Sequence, residues 1–327
     1  MRKFTDSDLV ERVLAGERLA LARLLTQVEN DTPTGREALE RLFPFTGRAH
    51  LVGITGAPGT GKSSLANRLA MAYRKLENRE PPRVAVLAVD PTSPFSGGAL
   101  LGDRLRMKDV SGDPGVFIRS MASRGAVGGL ARTTAAMAQV LDAAGFEIVL
   151  IETVGAGQSE VEVARLAHTV IVVDAPGLGD DIQAIKAGIL EIADILVVNK
   201  ADLPGAENTL RNLRAMLDLA FPEERDDLWR PPLVRAVAST GEGVHEIIQA
   251  IQAHKDYLVK TGSWVKREEV RLMGEFESLL QAALLARWRE EVGEEIYQNT
   301  LFQLTRRQIS PWQAVRRLLE GDSMISE

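Results

Sequence analysis

Apolar residues along the chain follow two rhythms. From Ser7 to about Glu29 they recur at helical spacing, as Leu9, Val10, Val13 and then Leu19, Leu21, Leu24 and Leu25, with a break at Gly16 before Thr32-Pro33 punctuates the pattern. Short β-prone runs, most of them continuously apolar, follow at Ala49 to Thr55, Val84 to Val89, Val116 to Ile118, Ile148 to Ile151, Thr169 to Val173, Ile195 to Val198 and Leu233 to Val237. Between several of them lie helical stretches around Ser63 to Leu76, Leu130 to Ala143, Val161 to Leu166, Asp181 to Glu191, Glu207 to Leu219 and His245 to Leu258. Strands alternating with crossover helices predict an α/β fold with a mainly parallel sheet covered by helices on both faces. After about Thr261 the strand signals stop. Val270, Met273, Phe276, Leu280, Ala283 and Leu284 return to helical spacing, and a last helix is opened by Ser310-Pro311 and closed by Gly321. Three regions result: a helical N-terminal extension (1–48), an α/β domain (49–260) and a helical C-terminal region (261–327).

The strand ending at Thr55 runs into Gly56-Ala57-Pro58-Gly59-Thr60-Gly61-Lys62-Ser63, with the helix beginning near Ser63 and Ser64 following in it. This is the Walker A pattern in its expected strand–loop–helix context, which predicts a P-loop NTPase sheet. Glycines let backbone N–H groups curl around a phosphate, and the helix N-terminus adds positive potential. Lys62 can reach the β and γ phosphates, and Ser63 can ligate Mg²⁺. Further oxygen ligands belong at neighbouring strand ends, where Asp90 and Glu152 stand, with Asp103 in the glycine-rich segment between them. Taken alone, such acids also cap turns. Gly97, Gly98 and Gly102 make the stretch from Pro91 to Arg106 a candidate γ-phosphate switch.

Asn199-Lys200-Ala201-Asp202 follows the run Ile195 to Val198 and has the form of a guanine-reading N-K-x-D motif. An aspartate accepts from both N1–H and the 2-amino group of guanine, which adenine does not offer; Asn199 can bond the opposite base edge and the Lys200 stem can cover the ring. The turn Ala238-Ser239-Thr240-Gly241 falls where a GTPase loop touches the base through backbone N–H groups. In Glu152-Thr153-Val154-Gly155-Ala156-Gly157-Gln158, the slot that many GTPases fill with a water-positioning glutamine holds Ala156, and Gln158 lies two positions on. Lys62, Glu152 and Gln158 are therefore the candidate catalytic residues, and slow unaided hydrolysis completed by a partner or a rearrangement is expected. Lys186, on the helix after Gly179-Asp180-Asp181, either enters the site, touches a partner or is a solvated helix lysine.

Composition narrows the partners. A net charge of −6 gives no electrostatic reason to expect nucleic acid or an anionic membrane surface, and the N-terminus, with Asp6, Asp8 and Glu11 and no long apolar run, reads as neither signal peptide, transit peptide nor transmembrane span. Zero cysteines exclude disulfides and thiolate metal sites, the four histidines show no ligand spacing, and a reduced cytoplasmic setting fits.

Together, Gly56 to Ser63, the stretch Val89 to Arg104 (VDPTSPFSGGALLGDR), Glu152 to Glu160 (ETVGAGQSE) and Asn199 to Asp202 resemble the ArgK/MeaB family of P-loop GTPases, with the likeness running from about Leu51 to Leu258 and into both helical ends. The resemblance implies a homodimeric, Mg²⁺-dependent GTPase, cycling between GTP and GDP, with residues 261–327 as a dimerisation arm. It further implies a chaperone that binds an adenosylcobalamin-dependent acyl-CoA mutase, such as methylmalonyl-CoA mutase, gates cofactor loading and protects or reactivates that enzyme. It carries phosphate and magnesium roles onto Lys62, Ser63, Asp90, Asp103 and Glu152, guanine roles onto Asn199 and Asp202, and a partner-sensing switch onto Asp180 to Lys186. Two other classes compete. A metallochaperone-type GTPase predicts clustered Cys or His ligands, and a small-molecule kinase has no need of a guanine-reading Asp202.

Overall fold

The computed structural model describes residues 6–76, 80–91, 112–123, 129–153, 158–177, 191–221 and 228–320. Seven strands form one sheet: β1 (His50–Thr55), β2 (Val84–Pro91), β3 (Val116–Ser123), β4 (Ile148–Glu152), β5 (Thr169–Asp174), β6 (Ile195–Val198) and β7 (Leu233–Arg235). Every neighbouring pair is parallel, in the order β3-β2-β4-β1-β5-β6-β7. β1 is the centre: the chain leaves it to build one half through β2, β3 and β4, then returns to its other side at β5. Such a switch point opens a crevice at the strand C-termini, and the loop after β1 lies there.

The strands are apolar on both sides because both sides are covered. Alternate residues serve opposite faces. Leu51, Leu87 and Ile151 join a core with the N-terminal helices α1 (Asp6–Leu14), α2 (Arg18–Glu29) and α3 (Pro33–Leu42) and with α5 (Gly129–Ala143) and α6 (Gln158–Leu166). Val52, Ile54, Val86 and Leu150 join the opposite core with α4 (Lys62–Tyr73) and α8 (Val244–Lys260), while α7 (Ala206–Ala220) covers β5 and β6 through Leu217. A Cβ at Gly53 would lie 2.5 Å from Val163 Cγ1, so the absence of a side chain in mid-strand lets α6 lie directly on β1.

Three elements differ from the sequence expectation. Thr32-Pro33 starts a helix instead of ending one: Thr32 caps α3 by accepting from Gly35 N at 3.1 Å, and Pro33 takes the first turn, where its missing N–H costs nothing. β3 runs to Ser123, since all eight of its residues pair with β2. β7 stops at Arg235, and Val237 instead makes an isolated antiparallel bridge to Glu242. The helix expected over Asp181 to Glu191 lies outside the described residues apart from its end.

Residues through Arg271 form one compact unit, and 272–327 form another. α9 (Ser263–Val292) begins in the first unit, where its opening turns seal the N-terminal edge of the sheet, opposite the crevice. There, three of the four histidines gather. His50 Nε2 meets Thr169 Oγ1 at 2.7 Å, Thr169 Oγ1 meets His254 Nδ1 at 2.9 Å, and His254 Nε2 lies 3.2 Å from Asp194 Oδ1. Asp194 takes a two-pronged ion pair from Arg267, both contacts at 2.8 Å. His168 accepts from Leu51 N at 3.0 Å, stacks on Trp264 with ring centres 4.0 Å apart, and bonds Glu268 through Nε2. In the second unit, α10 (Glu294–Thr305) and α11 (Pro311–Glu320) meet through Arg317 Nη1 donating to Gln303 Oε1 at 2.8 Å, and Trp288 Nε1 donates to Leu318 O at 3.2 Å.

Burial lowers all three histidines: His50 falls well below 6.5, His168 falls despite the opposing pull of Glu268, and His254 drops to about 4. Burial would raise Glu268, but hydrogen bonds from His168 and Arg271 reverse that and bring it to about 2. Since His168 is itself held neutral, Arg271 and a neutral imidazole N–H are what support the Glu268 carboxylate. The sign follows. Below pH 6.5 the unfolded chain takes up protons that folded His254 refuses until about pH 4, so stability is full above 6.5 and falls as pH drops towards 4. Thermal unfolding against pH should show that decline, and His254→Gln should make it shallower by roughly 3 kcal/mol at pH 4. An unchanged slope would remove His254 as its source.

Candidate functional site

The loop after β1 has a shape that only its sequence allows. Gly56 has φ +135°, and a Cβ there would lie 2.0 Å from Val173 O of β5; Gly61 has φ +93°, and its Cβ would lie 2.4 Å from Asn199 Nδ2. Ala57, Pro58 and Gly59 form the open side of the loop, and Thr60 closes the turn by donating from Oγ1 to Ala57 O at 2.9 Å. Lys62 is buried at the start of α4, its ammonium donating to Gly56 O at 2.8 Å and Ala57 O at 3.0 Å. The charge thus already stands inside the phosphate cradle. Ser64, beside it, is exposed.

Glu152 closes β4, and the parallel register sets it beside Ile54 of β1 and Ala88 of β2. It is 5% exposed and accepts from Ser63 Oγ at 2.5 Å. Thr153 N donates to Ile54 O at 3.1 Å and Thr153 Oγ1 to Thr55 Oγ1 at 3.0 Å, which locks the end of β4 against the end of β1. Two of the expected metal ligands, Ser63 and Glu152, are therefore in contact. Asp90 sits at the C-terminal end of β2, two residues past the Ala88–Glu152 pairing, and its side chain is outside the described residues. So are Asp103, Val154 to Gly157 with Ala156 among them, and Asp180, Asp181 and Lys186; Gln158 opens α6, with its side chain likewise outside the description.

The N-K-x-D segment is built as a strut. Asn199, 1% exposed, donates from Nδ2 to Thr60 O at 2.8 Å and accepts at Oδ1 from Ala238 N at 3.0 Å. A carboxamide has two N–H groups and two lone pairs. One of each is engaged here, which ties the end of β6 to two other loops. Lys200, with φ +55°, donates from Nζ to Gly59 O at 2.7 Å. Ala201 N donates to Ala236 O at 3.0 Å, and Asp202 is left exposed at the crevice rim. Ser239 and Thr240 are exposed beside it, and Ala238 is buried. The crevice thus brings together the loop after β1, an acid–hydroxyl pair and the Asn199–Asp202 segment from stretches far apart in sequence. The Thr55–Thr153 hydroxyl contact escapes sequence reasoning, because threonine at a strand end carries no signal of a partner 98 residues away.

The profile of the methylmalonyl-CoA mutase-associated GTPase family MeaB matches residues 21–292. A relative from Pyrococcus abyssi is 44% identical over 313 residues, 96% of this chain and 95% of its own length. GTPase ArgK of Escherichia coli is 34% identical over 326 residues, 97% of this chain and 96% of its own. A Caenorhabditis elegans protein named methylmalonic aciduria type A homolog is 35% identical over 277 residues, covering 80% of this chain and 68% of that protein. Among solved structures, a LAO/AO transport system kinase superposes with a TM-score of 0.71 at 28% identity and 98% coverage of both chains.

Asp202→Asn replaces a double acceptor with a group that donates to the O2 of xanthine. It should weaken GTP binding by roughly a hundredfold and strengthen XTP binding. Calorimetric titration with both nucleotides checks this, and an unaltered GTP/XTP preference would remove Asp202 from the base site.

Proposed function

The chain belongs to the MeaB family of methylmalonyl-CoA mutase-associated GTPases, and from that membership we propose that its GTP cycle serves as a chaperone of an adenosylcobalamin-dependent acyl-CoA mutase in the cytoplasm. It is a GTP hydrolase of the P-loop class. The observation that carries the proposal is the family match across residues 21–292, in a chain whose catalytic crevice has a guanine-type rim.

The residues of the crevice divide the work. Loop N–H groups from Gly56 to Ser63 and the N-terminus of α4 bind the phosphates. Lys62 exchanges its loop carbonyls for phosphate oxygens and neutralises charge that grows towards the transition state. Asn199, Lys200, Asp202 and the 238–240 turn hold the base. The Ser63–Glu152 pair, a hydroxyl and a buried carboxylate side by side, suits a hard divalent cation, so Ser63 and Glu152, together with Asp90 and Asp103, would hold Mg²⁺. When bound, the ion supplies neutralisation of phosphate charge. Glu152 and Gln158 are the side chains for orienting water, and the missing group at Ala156 makes the unaided rate slow. Ordering of the loops around Asp90 to Asp103 and Glu152 to Gln158 by γ-phosphate, and their release after hydrolysis, give the conformational output, with Asp180, Asp181 and Lys186 reporting the client.

The C-terminal helices suit a two-fold interface in this reading. α9 runs for 30 residues without a buried one, and Met273, Phe276, Leu280 and Leu284 are exposed along it. Light scattering should give a dimer for the full chain and a monomer for one ending at Arg271, which retains the contacts under the sheet. A monomeric full chain at micromolar concentration would exclude the arm as an interface.

The decisive assay compares GTP and ATP hydrolysis with Mg²⁺, with and without a purified cobalamin-dependent acyl-CoA mutase from the same source. Turnover should be selective for GTP, slow alone, and faster by at least roughly tenfold with the mutase. GTP turnover indifferent to every such mutase would leave the GTPase and overturn the chaperone.

A further inference from the structure

Arg68 lies on α4, the helix whose N-terminus meets the phosphates, and its guanidinium faces the loop after β7. The fork spans two successive carbonyls: Nε donates to Ala238 O at 2.9 Å and Nη2 to Ser239 O at 2.5 Å. The loop is closed in other ways too. Thr240 N and Gly241 N both donate to Val237 O, at 3.1 and 2.9 Å, and Val237 N donates to Glu242 O at 3.0 Å. Asn199 Oδ1 holds Ala238 N from within.

A peptide unit is planar and trans, so its C=O and the next residue's N–H point in opposite directions. Gripping Ala238 O therefore fixes the direction of the Ser239 N–H. Among the described residues that N–H donates to no acceptor, and it belongs to an exposed residue at the crevice rim. We infer that Arg68 is a positioning residue for guanine recognition: by holding the carbonyl of the 238–239 peptide it aims the Ser239 N–H at O6 of the base. This rests on the reading of Asp202 and the 238–240 turn as the base site. From α4, Arg68 grips both carbonyls, Ala238 O and Ser239 O, at once. A guanidinium does this where an ammonium does not, because its donors diverge in a rigid plane matched to two acceptors.

The test uses the full chain with Arg68→Ala and Arg68→Lys. Three triphosphates are titrated: GTP, ITP, which keeps O6 but lacks the 2-amino group, and 2-aminopurine riboside triphosphate, which lacks O6. Arg68→Ala should weaken GTP and ITP alike by about tenfold and leave the 2-aminopurine nucleotide within about twofold, with Arg68→Lys in between. The single-turnover hydrolysis rate at saturating GTP should stay within about twofold of the parent, because Arg68 touches no reacting atom. Equal weakening of all three nucleotides, or none, overturns the inference. If Arg68→Ala does not fold, the same pattern at roughly threefold in Arg68→Lys decides the question. Asp202→Asn separates the premise: an unaltered GTP/XTP preference there defeats the base-site reading, whereas a shifted preference with inert Arg68 variants defeats only the role of Arg68.

Discussion

Asn199 holds three stretches of chain with one carboxamide. It stands at the end of β6, donates to the phosphate loop at Thr60 O and accepts from the β7 loop at Ala238 N, all in a nearly dry setting. Each bond is between buried groups, so deleting the amide would strand a carbonyl and an N–H at about 1–3 kcal/mol apiece. The constraint reaches further. Gly61 must lack a Cβ because the Asn199 amide occupies that space, and Lys200 reaches Gly59 only because the strut brings the two loops together. The loop after β1, the end of β6 and the loop after β7 are consequently tied to one another.

The sheet makes that possible. β1, β5 and β6 lie side by side, so the loops at their C-terminal ends are neighbours however far apart they are in the chain. At the opposite edge the same strands begin in a cluster of neutral histidines, Asp194 and Arg267. Strands pinned at one end by ion pairs and packed on both faces transmit little slack to the other.

Much of the site is legible because it is local. The Walker A loop needs consecutive residues with particular backbone freedom, and the N-K-x-D acid needs only to follow a strand. Strand positions are legible for the same reason: doubly covered strands must be continuously apolar. What escapes reading depends on contacts. Thr32-Pro33 looks like a stop and is a start, since a cap and an N1 proline act on the residues that follow them. β3 extends past its apolar stretch because β2 supplies partners through Ser123. His50, His168 and His254, without ligand spacing in sequence, converge beneath the sheet through the register of β1 and β5 and the packing of α8.

By itself the sequence determined the fold class and the GTPase class and named Lys62, Ser63, Glu152, Asn199 and Asp202 as the candidate groups, because each of these readings follows from residue type and short-range spacing. The tertiary structure decided how those groups are held: the two internal bonds of the Asn199 amide, the Ser63–Glu152 contact, and the grip of Arg68 on a loop 170 residues away. These depend on which strands become neighbours, and that choice is made by the packing of the whole core and is not written in any short stretch of chain.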